Sequence, residues 1–287
     1  MNRDILTVIQ ENMSTFSKGQ KRIANYILSS YDKAAFMTAS RLGKKVSVSE
    51  STVVRFAAEL GYDGYPDMQK SLQKMIRNRL TSVQRIEVTN DRIGDQDLLS
   101  MVLQSDIEKI RLTLEELDRD HFEQAVEAIV SARKIYIMGV RSSAALATFL
   151  SFYLNLILDN VAEVTANTAS EIFESLLRVG EGDVVLGVSF PRYSSRTVQA
   201  MQFARDRGAT TVAITDSDAS PLVPYSKYTL KARSDMASFV DSLVAPLSLV
   251  NALLVAVSRK KNEDVTHTFQ MLEQIWDEYG VYEKVQE

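Results

Sequence analysis

Two groups of side chains in this 287-residue chain have the types and spacing to do chemistry. The first is Ser47, Ser49, Ser51, Thr52 and Arg55, preceded by Lys44 and Lys45. On a helix beginning near residue 50, Ser49, Ser51, Thr52 and Arg55 share the N-terminal end of the polar face. Arginine can pair bidentately with guanine, and short hydroxyls reach bases or phosphate oxygens. The second group is a pair of loops, Gly139-Val140-Arg141-Ser142-Ser143 and Ser189-Phe190-Pro191-Arg192-Tyr193-Ser194-Ser195-Arg196-Thr197. Each leads into a helix, where free N–H groups and the macrodipole favour an anion. Ser189, Ser194, Ser195 and Thr197, with Arg192 and Arg196, make a credible phosphate cradle. A third loop, Thr215-Asp216-Ser217-Asp218, reads as capping carboxylates rather than a metal site. No GxxxxGK[ST] or strand-following GxGxxG is present, so neither a nucleotide loop nor a dinucleotide cofactor is expected.

These groups need particular elements to hold them. Thr38–Lys45 and Glu50–Leu60 read as two short helices joined by a tight turn. Ala39, Leu42 and Val46 give the first an apolar side. Val53, Val54, Ala57 and Leu60 are expected to face inward on the second, and Ser47-x-x-Glu50 has the spacing of a capping box. In a helix-turn-helix, the N-terminal residues of the second helix enter the major groove. The surrounding 80 residues are helical throughout. Ile5, Val8, Ile9 and Met13 mark one stripe; Ser17 and Gln20 cap a helix with Ile23, Tyr26 and Ile27 inward. Gly61 and Gly64 mark sharp turns before a helix over 67–79, with Pro66 in its first turn.

Residues 81–94 lack periodicity and read as a linker. A helix over 95–117 follows, with Leu98, Leu99, Val102, Leu103, Ile107, Ile110 and Leu114 as its stripe, then another over 120–131. Strands over 134–139, 161–165, 183–189, 210–215 and 228–231 then alternate with helices over 142–158, 168–178 and 195–207. Strand, helix, strand at this spacing implies right-handed crossovers and a parallel sheet covered on both faces. Two long helices, 237–259 and 264–279, close the chain. Ligands of such sheets bind beyond the carboxyl ends of the strands, where the hydroxyl-rich loops lie.

Charge divides the chain. Residues 1–90 hold fourteen basic against eight acidic side chains, a net +6, whereas the remaining 197 hold 19 basic and 29 acidic, a net −10. Phosphate neutralisation supplies most sequence-independent DNA affinity, so the cationic head is the part expected to touch nucleic acid. The absence of cysteine excludes disulfides, zinc fingers and thiol catalysis. With no apolar run near the roughly 18 residues of a membrane span, a cytoplasmic protein with no membrane partner is the expectation.

At this point the chain resembles the RpiR/MurR family of bacterial transcription regulators over nearly its whole length. The segment VSESTVVRFAAELGYDGYPDMQKSL is similar to that family's helix-turn-helix signature, through Ser49, Thr52, Val53, Arg55 and Phe56, then Leu60, Gly61, Tyr62, Gly64 and Tyr65. The rest resembles a SIS (sugar isomerase) domain, with GVSFPRYSSRT at 187–197 like the version found in these regulators. The resemblance implies that Ser142, Ser143, Ser189, Ser194, Ser195 and Thr197 hold a phosphate. Where SIS first loops often read Gly-x-Gly-x-Ser, Arg141 replaces the second glycine here; it could obstruct backbone approach or add a phosphate contact.

Isomerases of this type need a general base. His121, His267, Glu171 and Glu174 are the candidates, but nothing in the sequence demands catalysis, and no catalytic residue is assigned. The expectation is an all-α helix-turn-helix domain (1–80), a linker (81–94) and an α/β three-layer sandwich with a mainly parallel, SIS-like sheet (95–287). The function expected is that of a regulator whose affinity for a double-stranded DNA operator is set by a sugar phosphate effector. The runner-up is a sugar-phosphate isomerase. A homodimer or higher homo-oligomer is expected because one such head reads only a few base pairs; helix 95–117 and the C-terminal helices are candidate dimer elements, with burial inside one subunit the competing arrangement.

Overall fold

The computed structural model describes residues 5–76, 81, 83–87, 97–165, 168–235 and 240–283. Most of the 81–94 segment, the end of the expected 67–79 helix and residues 237–239 lie outside these. The chain forms two compact units, one running to Met101 and including 236–241, the other holding 102–235 and 242–287.

The first unit is all helical: α1 (Ile5–Glu11), α2 (Lys18–Ser29), α3 (Tyr31–Ala34), α4 (Ala39–Lys45), α5 (Glu50–Glu59) and α6 (Tyr65–Ile76). Ser17 and Gln20 form the expected capping box on α2, and Thr38 accepts the Arg41 N–H at the start of α4. Ile9, Ile23, Ile27, Leu42, Val53, Phe56, Met68 and Leu72 pack as one core, in which the Phe16 and Phe56 rings lie 5.1 Å apart. Tyr65 is buried, its phenol pushed up to about 12 by desolvation, and donates to the Met37 carbonyl at 2.7 Å.

Two expectations about α5 are corrected. Its N-cap is Ser49, whose Oγ accepts the Thr52 N–H, whereas Ser47 lies in the turn with φ 56°. The turn must reverse over few residues, and Gly43 permits it: a Cβ there would stand 2.9 Å from the Val48 carbonyl oxygen. Val54 is 42% exposed, while Phe56 takes the inward place. At about 100° per residue, 53, 56, 57 and 60 share a face and 54 falls on its flank. Beyond Leu60 the chain leaves through a Schellman turn. Tyr62 N–H donates to the Ala57 carbonyl, Gly61 N–H to that of Ala58, and Gly61 adopts φ 87°.

The second unit is built on five parallel strands: β1 (Ile135–Gly139), β2 (Val161–Glu163), β3 (Val184–Val188), β4 (Thr210–Thr215) and β5 (Tyr228–Lys231), in the order β2-β1-β3-β4-β5. Its helices are α7 (Leu98–Glu116, which belongs to this unit from Val102 onward), α8 (Arg119–Val130), α9 (Ser142–Asn155), α10 (Ala169–Ser175), α11 (Ser195–Asp206), α12 (Val244–Lys260) and α13 (Asn262–Glu278). Alternate strand residues point to opposite faces. Ile135, Ile137, Leu186, Val212 and Leu230 meet α8, α9 and α12 on one side; Tyr136, Met138, Val185 and Ala213 meet α10 and α11 on the other. This is the expected three-layer sandwich. Helix α12 begins at Val244 rather than near 237, which places Pro246, lacking an N–H, in its first turn.

Helix α7 is inverted relative to an ordinary surface helix. Lys109 is 3% exposed, its ammonium bound by Ser105 Oγ at 2.9 Å and Asp106 at 3.1 Å. Asp106 also accepts from Ser242 Oγ at 2.7 Å, and Thr113 Oγ1 accepts the Arg233 N–H at 2.9 Å. Opposite them, Leu103 (54%), Ile107 (58%) and Leu114 (61%) face outward with Ile110.

Candidate functional site

In the head, Lys44, Lys45, Ser47, Ser49, Ser51 and Arg55 are exposed and Thr52 is half-buried. Ser49 Oγ stands 2.8 Å from both Ser51 Oγ and Thr52 Oγ1, and Arg55 Nε donates to the Ser51 carbonyl at 3.3 Å. The hydroxyls thus form one cluster over the N-terminus of α5, with Arg55 one turn further along. Lys44 and Lys45 end α4, where the helix dipole favours cations. This face carries hydrogen-bond donors at the end of a helix of major-groove width. The sequence reading missed Val54, which adds an exposed apolar group suited to a thymine methyl. Its signal was the period itself, since 54 does not share the face of 53 and 57.

In the second unit the strand order places the candidate loops. Strand β1 pairs with β2 on one side and β3 on the other, with Gly139 level with Val188. The crossovers from β1 therefore diverge beside β3, which is where open α/β sheets bind ligands. Both hydroxyl-rich loops leave the sheet at this point. Gly139 is required there: a Cβ would come within 2.4 Å of the Ser143 carbonyl oxygen.

The two loops differ in how far their own side chains satisfy them. In the loop after β3, Ser189 Oγ accepts the Ser194 N–H at 3.1 Å, and Ser194 Oγ accepts the Thr197 N–H at 3.4 Å. Thr215 donates to the Ser189 carbonyl at 2.8 Å, and Tyr193 donates to Asp216 at 2.6 Å. Ser189 and Thr197 are buried, Ser194 is half-buried, and Arg192 and Ser195 are exposed. The buried Thr197 Oγ1 has no hydrogen-bond partner among the described residues. In the loop after β1, Arg141 stands at the N-cap of α9 with φ 60° and ψ −126°, and its side chain does not cap the helix. Ser142 is exposed and Ser143 buried. Among the described residues no side chain caps the α9 N-terminus, whose first N–H groups have the chemistry to receive an anion.

The carboxylates of the third loop have partners, Asp216 with Tyr193 and Asp218 with Lys231 at 3.0 Å. Among the described residues, no cluster of three or more histidine or acidic side chains could hold a metal. The candidate bases lie elsewhere. Glu171 caps its own helix with Thr168, and Glu174 is exposed. His121 meets the Tyr228 ring edge-on, and His267 is exposed on α13. No helix among the described residues is long and apolar enough to cross a membrane.

Comparison with known proteins covers both units. The helix-turn-helix domain of the rpiR family matches residues 3–79, and the SIS domain matches residues 128–256. An uncharacterised HTH-type transcriptional regulator of Caldanaerobacter subterraneus is 26% identical, over 91% of this chain and 93% of its own. One of Haemophilus influenzae is 28% identical over 88% and 90%. Among solved structures, the sugar isomerase domain of an RpiR transcription factor from Sphaerobacter thermophilus is 30% identical, with TM-score 0.59, over 62% of this chain and 99% of that one. The Vibrio vulnificus NanR protein, solved with ManNAc-6P, has the same fold over 96% of this chain and 98% of its own, at 24% identity and TM-score 0.59.

Proposed function

Because the chain belongs to the RpiR family of helix-turn-helix transcriptional regulators and carries a SIS domain behind its head, we propose that a sugar phosphate held between the β1 and β3 loops sets the affinity of the head for a DNA operator. The chain is a regulator rather than an enzyme; the curated proteins it resembles along most of its length are named HTH-type transcriptional regulators. The carrying observation is the pairing of β1 with β3, which sets the uncapped α9 N-terminus beside the Ser189–Thr197 loop. Ser142, Ser143, Ser189, Ser194, Ser195 and Thr197 supply hydroxyls and N–H groups to the phosphate, and Arg192 supplies charge. Ser49, Ser51, Thr52 and Arg55 read base edges, while Lys44, Lys45 and Ser47 hold the phosphodiester backbone. The functional division is a head over 1–80, a linker over 81–94 and a sensor over 95–287, acting in the cytoplasm.

The outward stripe of α7 supports a homodimer. Leu103, Ile107, Ile110 and Leu114 follow steps of four, three and four, the spacing of a coiled-coil seam. A second copy would bury that seam and hold two heads for paired half-sites. Effector binding would then bias the dimer toward one arrangement of its heads, by the difference in its affinity for the two arrangements.

Thermal denaturation against a panel of sugar phosphates and their unphosphorylated sugars tests the reading. A ligand at 100 times its Kd stabilises the folded state by about 2.7 kcal/mol. A phosphorylated member should therefore raise the melting temperature while its parent sugar does not. Absence of a shift across the panel, or an equal shift with parent sugars, would remove the sugar phosphate from the account.

A further inference from the structure

Arg141 occupies a backbone conformation that suits glycine, at the mouth of the proposed effector site. Its φ of 60° and ψ of −126° lie in a region that L residues rarely adopt, because the Cβ is crowded there. The crowding follows from the seating of the loop: with the Ser143 carbonyl pressed against Gly139, only Val140 and Arg141 remain to turn the chain from strand to helix. Glycine would make this turn without strain, so the backbone gives no reason for arginine. Strain of this kind persists where the side chain has a task.

That task is not structural. Arg141 is exposed, and its guanidinium has no hydrogen bond or ion pair with any described residue, whereas Arg192 and Arg196 of the neighbouring loop are engaged by other groups of the protein. In that reading the phosphate donors come from the α9 N-terminus, from the hydroxyls of both loops and from the buried Thr197 Oγ1, which has no hydrogen-bond partner among the described residues. Arg141 thus brings an unpaired guanidinium, on an otherwise acidic unit, to a site whose N–H groups and hydroxyls already suit one phosphate.

We propose that Arg141 selects the effector by pairing with a second anionic group, so that the ligand class is sugar phosphates bearing an additional carboxylate or phosphate. This rests on the sugar-phosphate reading above and narrows it. A planar guanidinium binds either anion bidentately.

Isothermal titration of the full-length protein with matched pairs tests it: glucose 6-phosphate against glucose 1,6-bisphosphate and 6-phosphogluconate, and fructose 6-phosphate against fructose 1,6-bisphosphate. In at least one set the doubly anionic member should bind about tenfold tighter or better, the worth of one charge-assisted hydrogen bond. Arg141→Gly, whose backbone suits glycine, should abolish that preference, lowering the affinity of the doubly anionic member about tenfold more than that of its monophosphate partner. Equal binding within every set, or an Arg141→Gly loss shared equally by both members, overturns the selection role while leaving the phosphate site intact. Failure of every ligand, with Ser194→Ala and Ser195→Ala also without effect, overturns the sugar-phosphate reading itself. Arg141→Lys, which keeps the charge and loses the fork, should retain part of the preference; full retention in Arg141→Gly would reject the proposal.

Discussion

Helix α5 buries Val53, Phe56 and Ala57 and turns its hydroxyls and Arg55 to solvent; helix α7 buries Lys109 and Thr113 and turns Leu103, Ile107 and Leu114 outward. Both are amphipathic, and periodicity identifies both as helices. What differs is which side the subunit uses. On α5 the apolar side completes the head's core, so the polar side is left for a ligand with hydrogen-bonding edges. On α7 the inward side is fixed by polar contacts through Asp106, Ser242 and Arg233, so the apolar side is left for another apolar surface. An exposed stripe flanked by the surface ion pairs Glu108–Arg111–Glu115 has the form of an interface with a polar rim.

The contrast can be broken most severely at α7. Leu103→Glu with Ile107→Glu should convert a dimer to a monomer in sedimentation, while circular dichroism stays unchanged. Operator affinity should fall by about a hundredfold, the lower end of what linking two sites provides. An unchanged sedimentation coefficient would show that this face serves something other than self-association. On α5 the inward side comes next. Phe56→Ala should cost the head about 3–5 kcal/mol in urea unfolding, and a loss below about 1 kcal/mol would place Phe56 outside the core that decides stability. The outward side of α5 follows. Arg55→Ala should cost about 1–3 kcal/mol on the cognate operator and relax discrimination at one base pair; intact discrimination would withdraw Arg55 from base reading. Smallest is Lys44→Ala, which should weaken binding to all sequences alike and lower the salt slope by about one. A slope unchanged in a gel-shift series would exclude its phosphate contact.

The helix-turn-helix was legible because its caps, turn residues and apolar period agree with one another. The error at Ser47 arose because two serines two residues apart offer the same capping chemistry, and only the close approach at Gly43 decides between them. The parallel sheet was legible from the spacing of apolar strands, and the adjacency of the two loops follows from its crossovers. The direction of α7 was not legible: a stripe of leucines looks the same whether it meets its own core or a second chain, and the polar partners that orient it come from residues more than a hundred positions away. The backbone of Arg141 was equally hidden. The missing second glycine was visible in the sequence, but that the chain still turns as though glycine were present is a fact of three dimensions.

Occupancy of the sheet edge should change the grip of the head on DNA. This is tested most directly by fluorescence anisotropy of a labelled operator at fixed salt, with and without the sugar phosphate that stabilises the protein. The measurement is made on the unaltered chain and on the Ser194→Ala, Ser195→Ala variant. Operator affinity should shift by about 5–150-fold, the usual span of coupling free energies, in the unaltered chain alone, with equal basal affinity in both. Operator affinity that is indifferent to the ligand in the unaltered chain, or a shift that survives in the variant, would contradict it.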